Sequence, residues 1–402
     1  MKLYIDLSLS VVTGVLGLVV VISGLAWISH LLTADQYAEL VTIRSYANAL
    51  MPLLTMSLML GFPKFREIGL ELIGSLFQVY FFCALVMIGL VVLSWYLFSV
   101  EDIRIQAVIS LGIGSSLVAV YSGLLRAEKS FRMIYLYVSL MTTLGMAFLI
   151  LLVMVDIPVQ EIAVYQGVFL VILVLIPVFF RKKIPLRLPS KKALAVARPL
   201  LNFCFNRISS GLLKKGYFVL PIFFLDFLGA TEDLIAYSTS LILMRVVDSA
   251  MSMSSGPVIT YAASNRLTKN KMVSILVAVL FLCLLAIAIG WLTSPISGEI
   301  LPYFFNFNDE IFISIERILR LIGLYFSACF LRIFYDAFTD GTHVTDIYIW
   351  GIIIGVFPLI LGFFLGGDMI SWIFWSLSLK LSYVCFRYSL SLFNALNGPS
   401  KL

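Results

Sequence analysis

Basic residues recur inside long apolar segments of this sequence, where a charged side chain is energetically costly. In "ELVTIRSYANAL", residues 39–50, Arg44 is followed one helical turn later by Asn48. The stretch "NRISSGLLKKGYF", residues 206–218, carries Arg207, Lys214 and Lys215. Guanidinium and ammonium groups donate charge-assisted hydrogen bonds to carboxylates and phosphates. This pattern favours the binding of an anion over covalent catalysis.

Cations also outnumber acids among the residues placed well inside apolar segments. A charged side chain at the centre of a bilayer costs about 2.5–3.5 kcal/mol on insertion scales, so such residues normally face a helix-bundle interior or a wet cavity. We predict a cationic cavity whose substrate-binding residues are Arg44, Asn48, Arg207, Lys214, Lys215, Arg245, Arg320 and Lys380. Arg317 is predicted at a similar depth, and the comparably deep acids are Asp248 and Glu316.

The two deep acids leave two interpretations open. Asp248 lies three residues after Arg245, and Glu316 lies four before Arg320, so each shares a helix face with a basic residue and can form a structural ion pair. Either acid is also a candidate to titrate and to couple transport to a proton or sodium gradient. Transport of an anion outward would alternatively be driven by an inside-negative membrane potential alone.

The elements that position these residues are membrane-spanning helices. The chain has 402 residues, of which 61% are hydrophobic and 12% are charged, and its mean hydropathy is +1.05. A spanning helix needs about 20 mostly apolar residues. Twelve such segments are predicted, at 8–29, 37–62, 72–98, 106–125, 134–154, 162–180, 199–225, 235–260, 273–293, 311–334, 346–366 and 369–393.

Lysine and arginine are concentrated in alternate loops, which predicts that the N-terminus and, with an even number of spans, the C-terminus are cytoplasmic. The net charge of +6 is explained by these loops lying against an anionic leaflet, so no nucleic-acid partner is expected. The basic segment "RKKIPLRLPSKKALAVAR", residues 181–198, follows the sixth predicted span. We predict an N-terminal six-helix lobe at 1–180, this cytoplasmic connecting loop, and a C-terminal six-helix lobe at 199–402.

Enzyme signatures are absent from the sequence. There is no Gly-rich phosphate loop, GxSxG or HExxH motif, and His30 and His343 lie at the ends of predicted spans, far apart in sequence. The five cysteines show no CxxC spacing. We therefore predict no catalytic residues, no metal site and no cofactor.

Several segments together resemble the Wzx-type polysaccharide flippases of the multidrug, oligosaccharidyl-lipid and polysaccharide exporter (MOP) superfamily. The resemblance rests on "LLTADQYAELVTIRSYANALMPLLTMSLMLGFPKF" at 31–65, "LLRAEKSFRMIYLYVSL" at 124–140, the basic middle loop, and twelve spans in about 400 residues. It implies an all-helical integral membrane protein with two six-helix lobes in a V shape. It also implies alternating-access movement of an undecaprenyl-diphosphate-linked oligosaccharide, an O-antigen or other surface-polysaccharide repeat unit, from the cytoplasmic to the outer leaflet.

The resemblance further implies a place in lipopolysaccharide or other polysaccharide biosynthesis, in the bacterial cytoplasmic (inner) membrane. Membrane lipids are expected partners, as are a polysaccharide polymerase and chain-length proteins. Two other functions stay open: a multidrug antiporter of the same fold that exports organic cations, and an integral-membrane polysaccharide polymerase or glycosyltransferase. The excess of deep cations disfavours the first, and the lack of a large outer loop disfavours the second.

Overall fold

The computed structural model describes residues 2–65, 69–98, 103–128, 131–179, 191–244, 269–338 and 344–397, and these ranges are helical apart from short connections. The helices are α1 (Lys2–Leu31), α2 (Ala34–Leu54), α3 (Leu58–Lys64), α4 (Leu70–Phe98), α5 (Ile103–Ala127), α6 (Phe131–Met154), α7 (Val159–Phe179), α8 (Lys191–Phe227), α9 (231–244), α10 (Lys269–Ile300), α11 (Asp309–Leu319), α12 (Ile322–Phe338), α13 (Val344–Leu365) and α14 (Met369–Asn397). This confirms the predicted all-helical class.

Seven helices of the described chain are long and apolar enough to cross a membrane. These segments are Leu70–Tyr96, Ile103–Ala127, Leu136–Met154, Val159–Val178, Val277–Tyr303, Asp346–Leu365 and Met369–Asn394. The other five predicted spans fall on α1, on α2 with α3, on α8, on α9, and on α11 with α12. Of the span predicted at 235–260, residues 245–260 lie outside the described residues. Helices satisfy their own backbone hydrogen bonds, which hydrocarbon requires because it offers no water.

The second predicted span, 37–62, is not one continuous helix. Pro52 lies inside the last turn of α2, where it lacks the N–H that would bond to a carbonyl of the preceding turn and so weakens the helix close to its end at Leu54. Met56 and Ser57 then take left-handed backbone conformations, with φ of 46° and 52°, before α3 begins at Leu58. The uninterrupted apolar pattern hides this break, although the proline that accompanies it is visible in the sequence.

The tenth predicted span, 311–334, is also divided, between α11 and α12. The 11-residue α11 is about 16 Å long, too short to cross a hydrocarbon layer of about 30 Å. Ile311, Ile315 and Ile318 are buried on one side of α11, whereas its first turn carries Asp309 and Glu310. This amphipathic pattern is typical of a helix at a surface.

The chain forms two compact units. The first unit comprises residues 19–219, and the second comprises residues 1–18 and 220–402. The division falls within α8, whereas residues 181–190 of the predicted connecting loop lie outside the described residues. The lobe boundaries predicted from sequence stay a prediction.

Small residues bring helices into backbone contact in the first unit. A β-carbon added to Gly114 of α5 would lie 2.5 Å from the carbonyl oxygen of Gly167 in α7, and one added to Gly167 would overlap the backbone of Ser110. The Ser110 hydroxyl donates a hydrogen bond of 3.0 Å to the carbonyl of Val164. Close packing of small residues with a polar cross-link is how helices associate in lipid, where burial of apolar surface gives little driving force.

The second unit uses the same chemistry. Gly290 of α10 faces Gly323 of α12, since a β-carbon at Gly290 would lie 2.8 Å from the Gly323 nitrogen. The Ser327 hydroxyl of α12 donates to the carbonyl of Cys283 in α10 at 3.1 Å. Between α14 and α13, the Ser376 hydroxyl donates to the carbonyl of Gly355 at 2.5 Å. Serine-to-carbonyl hydrogen bonds therefore recur wherever these helix pairs approach closely.

Substitution of Gly167 by alanine should destabilise the first unit, because the new methyl group would lie 2.4 Å from the backbone of Ser110 in α5, so the two helices would have to move apart. Overpacking of this kind costs about 1–3 kcal/mol. Gly89→Ala is the matched control, since a β-carbon there meets nothing within 4 Å and alanine favours a helix by about 0.5–1 kcal/mol. Thermal unfolding in detergent should show a lower midpoint for Gly167→Ala and an equal or higher one for Gly89→Ala. Equal midpoints for Gly167→Ala and the wild type would contradict the close approach.

Candidate anion-binding site

The structure describes six of the ten residues predicted for binding or ion coupling. Arg245 and Asp248 lie outside the described residues, and of Arg207 and Lys214 only the backbone, within α8, is described. The remaining residues divide between the units: Arg44, Asn48 and Lys215 belong to the first, and Glu316, Arg320 and Lys380 to the second.

Arg44 is half-buried and lies seven residues after the start of the predicted span 37–62. It lies ten residues, or about 15 Å, along α2 from Ala34. The start of α2 is fixed by a capping box, in which the Thr33 hydroxyl accepts from the Gln36 amide at 3.3 Å and the Gln36 side chain accepts from the Thr33 amide at 3.0 Å. The position of Arg44 is therefore set from a well-defined helix end.

A glutamine that the sequence analysis did not single out binds Arg44. Arg44 Nη1 donates to Oε1 of Gln166, on α7, at 3.1 Å. Gln166 Nε2 donates in turn to the carbonyl of Gly145, on α6, at 3.2 Å. One buried amide thus joins α2, α6 and α7. The signal in the sequence that could have identified Gln166 is its polar side chain within the apolar segment "VYQGVFLVI".

Asn48 does share a face with Arg44, as its spacing predicts, but its amide has another partner. Asn48 Nδ2 donates to the carbonyl oxygen of Arg44 at 2.9 Å, so this donor is turned back onto α2.

A second arginine contacts the same helix nearby. The guanidinium of Arg104, in the first turn of α5, lies over the ring of Tyr46 with 5.8 Å between its Cζ and the ring centroid. Arg104 therefore places a second guanidinium beside the stretch of α2 that carries Arg44.

Lys215 and Lys380 differ in their exposure. Lys215 is half-buried in α8, within the first unit. Lys380 is 1% exposed in α14, and a β-carbon added to Gly351 of α13 would lie 3.6 Å from its Cγ. The aliphatic stem of Lys380 thus packs across a glycine of the neighbouring helix, and its ammonium group is enclosed by the second unit.

Arg320 and Glu316 form the ion pair that their spacing predicts. Arg320 Nη2 donates to Glu316 Oε1 at 2.8 Å, with the two side chains 39% and 23% exposed. The Arg320 guanidinium also lies 5.7 Å from the ring centroid of Trp291. These contacts support a structural role for Arg320, while the assignments of Arg320 to substrate and of Glu316 to ion coupling stay predictions.

Arg317 is part of a separate charged network at one end of the second unit. It donates hydrogen bonds to Asp368, in the turn before α14, and to the hydroxyl of Ser371. The pKa of Asp368 is raised by partial burial but lowered more by the hydrogen bonds from Ser371 and Arg317 and by the charge of Arg317, so it lies below its usual range. The depth predicted for Arg317 is wrong, because its acidic partner lies in the turn between α13 and α14.

Asp233 stands next to this network. Burial raises its pKa, as do the negative charges of Asp368 and Glu232, and the nearby Arg317 offsets part of the effect. Glu232 itself accepts a hydrogen bond of 3.2 Å from the side-chain amide of Asn308. Polar contacts therefore join α11 to the N-terminal ends of α9 and α14 at this end of the unit. Among the described side chains, no group of three His, Cys, Asp or Glu residues is placed to hold a metal ion.

Comparison by sequence gives no relative: no family model matches the chain, and no curated protein matches it. Comparison with solved structures does find similar proteins. A multidrug resistance MATE family transporter of the MOP superfamily, in an outward-facing conformation, matches with a TM-score of 0.62 at 13% identity over 98% of this chain and 96% of that one.

Two further solved structures agree with this match. A MOP superfamily transporter from Pyrococcus furiosus, whose binding pocket is described as of reverse polarity and as suggesting a different function, has a TM-score of 0.60 at 12% identity, covering 99% of this chain and 97% of that one. A eukaryotic MATE transporter has a TM-score of 0.61 at 13% identity, covering 98% and 96%. This chain therefore has the fold of MOP-superfamily transporters along nearly its whole length.

Opposite pH responses are expected from Asp233→Asn and Asp368→Asn. A carboxyl group whose pKa is raised in the folded state stabilises the fold most below its unfolded pKa of about 3.9, and it loses this contribution as the pH rises through the folded value. A carboxyl group whose pKa is lowered in the folded state stabilises the fold above about pH 3.9, and it loses this contribution as the pH falls through the folded value. At pH 7, Asp233→Asn should raise the midpoint of thermal unfolding by a few degrees and Asp368→Asn should lower it. Both differences should shrink as the pH approaches 4 and falls below it. A lower midpoint for Asp233→Asn at pH 7 would contradict the assignment.

Proposed function

We propose that this chain, which has the fold of MOP-superfamily transporters, moves an anionic substrate across a membrane. We propose more specifically a lipid-linked diphosphate oligosaccharide, such as an undecaprenyl-diphosphate repeat unit of a surface polysaccharide, carried from the cytoplasmic to the outer leaflet of a bacterial cytoplasmic membrane. The fold supports transport, and the sign of the charge inside the spans supports the substrate class.

The observation that carries the proposal is the environment of Arg44. Gln166 holds the guanidinium through a neutral oxygen, so this contact orients the arginine without adding negative charge. A guanidinium binds phosphate oxygens through a fork of parallel N–H donors, and a partly buried setting strengthens such contacts. Arg44 thus supplies a positive charge on a side chain that Gln166 holds in place, and this supports the proposed recognition of a diphosphate.

The need for a cationic path follows from the substrate. A diphosphate with attached sugars cannot enter hydrocarbon alone, because its charges and hydroxyl groups would lose their water without compensation. Protein cations and polar groups replace that water, while an isoprenoid chain stays in lipid. Arg207, Lys214, Lys215 and Arg245 are proposed to contribute to this path with Arg44. A polysaccharide polymerase and chain-length proteins are the proposed downstream partners.

Export of organic cations is the second candidate, and it has its own support. Similar solved structures include multidrug resistance MATE family transporters, so the comparisons favour this function more strongly than lipid translocation. Against it stands the shortage of deep acids in the sequence, since a cation site needs negative charge. Of the two deep acids, Glu316 is engaged with Arg320 in the structure. The polarity of the pocket is also described as reversed in one transporter of this fold.

Arg44→Ala should reduce translocation about 10-fold or more, because loss of a hydrogen bond to a charged group costs about 1.5–3 kcal/mol. Arg44→Lys should retain part of the activity, since it keeps the charge but not the fork. The measurement is the outer-leaflet accessibility of a labelled undecaprenyl-diphosphate oligosaccharide in vesicles that contain the purified protein. The double variant Arg44→Ala/Lys214→Ala should be more impaired still, and Arg198→Ala, at an exposed position of α8, is the matched control.

The same vesicles distinguish the two functions. Gradient-driven movement of an organic cation dye such as ethidium, without movement of the lipid, would establish the antiporter and overturn the proposed anionic substrate. Full activity of Arg44→Ala toward the lipid would leave translocation in place but remove Arg44 from the binding site.

A further inference from the structure

Gln166 is a buried amide in an otherwise apolar part of α7. Only 4% of its surface is exposed, and both ends of its amide are engaged: Oε1 accepts from Arg44 on α2 and Nε2 donates to the Gly145 carbonyl on α6. Leaving a buried amide group without a hydrogen-bond partner costs free energy. The Gln166 side chain is therefore held in the orientation that keeps both of its hydrogen bonds.

That orientation is fixed from both sides. A guanidinium offers only donors and a backbone carbonyl only accepts, so the amide must present Oε1 to Arg44 and Nε2 to Gly145. The reverse orientation would set a donor against a donor and an acceptor against an acceptor. The geometry leaves Arg44 bound to a neutral oxygen at a defined place on α7.

We infer that Gln166 is a positioning residue that sets both the direction of the Arg44 guanidinium and the anion preference of the site. This inference rests on the proposed function and deepens it. Gln166 orients the cation and leaves its charge in place for a diphosphate. A carboxylate at position 166 would also accept from Arg44, but it would cancel the charge that attracts the anion.

The chain supplies a matched control for the hydrogen bond itself. Gln160, also on α7, donates through Nε2 to Glu39 Oε1 on α2 at 2.6 Å. It therefore links the same two helices as Gln166 does, six residues away and without a contact to Arg44. Gln160→Met removes a link between α2 and α7, and Gln166→Met removes such a link together with the support of Arg44.

The experiment measures the binding of inorganic pyrophosphate and of a short-chain polyprenyl diphosphate to the purified full-length protein, with the thermal midpoint as a measure of folding. Gln166→Met should weaken binding about 10-fold, the effect of losing one well-placed contact to a charged group, and Gln160→Met should leave it within about 2-fold. Gln166→Glu, which is nearly isosteric, should weaken binding at least as much as Gln166→Met, because its carboxylate would offset the positive charge of Arg44.

A double-variant cycle tests whether Gln166 acts through Arg44. If it does, Arg44→Ala/Gln166→Met should bind no more weakly than Arg44→Ala alone, because the residue to be positioned is already gone. A general packing role would instead add its own loss and would lower binding in Gln160→Met as well.

The outcomes separate the inference from its premise. Normal binding by the wild type that Gln166→Met and Gln166→Glu leave unchanged would overturn the role of Gln166 alone. Absence of binding by the wild type to both diphosphates would remove the proposed substrate class, and the role of Gln166 would fall with it. Additive losses in the double variant would show that Gln166 acts independently of Arg44.

Discussion

The close approach of α5 and α7 at Gly114 and Gly167 sets the geometry on which the candidate site depends. Gln166 is the immediate neighbour of Gly167, so the backbone contact that fixes α7 against α5 also fixes the place of the buried amide. The Ser110 hydroxyl adds a polar link to the same pair of helices. In lipid, such packing replaces the hydrophobic effect as the force that holds helices together. The orientation of Arg44 is thus tied, through Gln166, to the small residues that pack α5 against α7.

The fold and the charge pattern give different kinds of information about function. Solved transporters that share this fold at 12–13% identity include a multidrug resistance MATE family transporter, and the shared fold by itself leaves the substrate and the sign of its charge open. The sign comes from individual side chains. The contact from Gln166 adds no charge beside Arg44, whereas Glu316 offsets the charge of Arg320. Neither setting can be inferred from how many cations the chain carries.

Much of the fold could be predicted from the sequence, because hydrocarbon permits so few backbone arrangements. Apolar runs of about 20 residues identified the helices, and the spacing of Glu316 and Arg320 identified the ion pair between α11 and the residue that follows it. The break after Pro52 was missed because apolar composition continues through it. The partner of Arg44 was missed for a different reason: Gln166 lies 122 residues away, and a single sequence contains no information on such a contact. The shallow position of Arg317 depends likewise on Asp368, a partner 51 residues away.

The break in the second span has a consequence for local opening. The seven-residue α3 is far shorter than the roughly 12–15 residues that an isolated helix needs to persist, so its hydrogen bonds depend on its neighbours. Those neighbours are α5, where Gly123 meets the backbone of Met59, and α8, where Cys204 fills the space beside Gly61. Any change that separates α3 from α5 and α8 would release its amide hydrogens to exchange while α2, with its own cap, stays intact. Span two therefore consists of a persistent helix joined to a segment whose local stability reports on the packing around it.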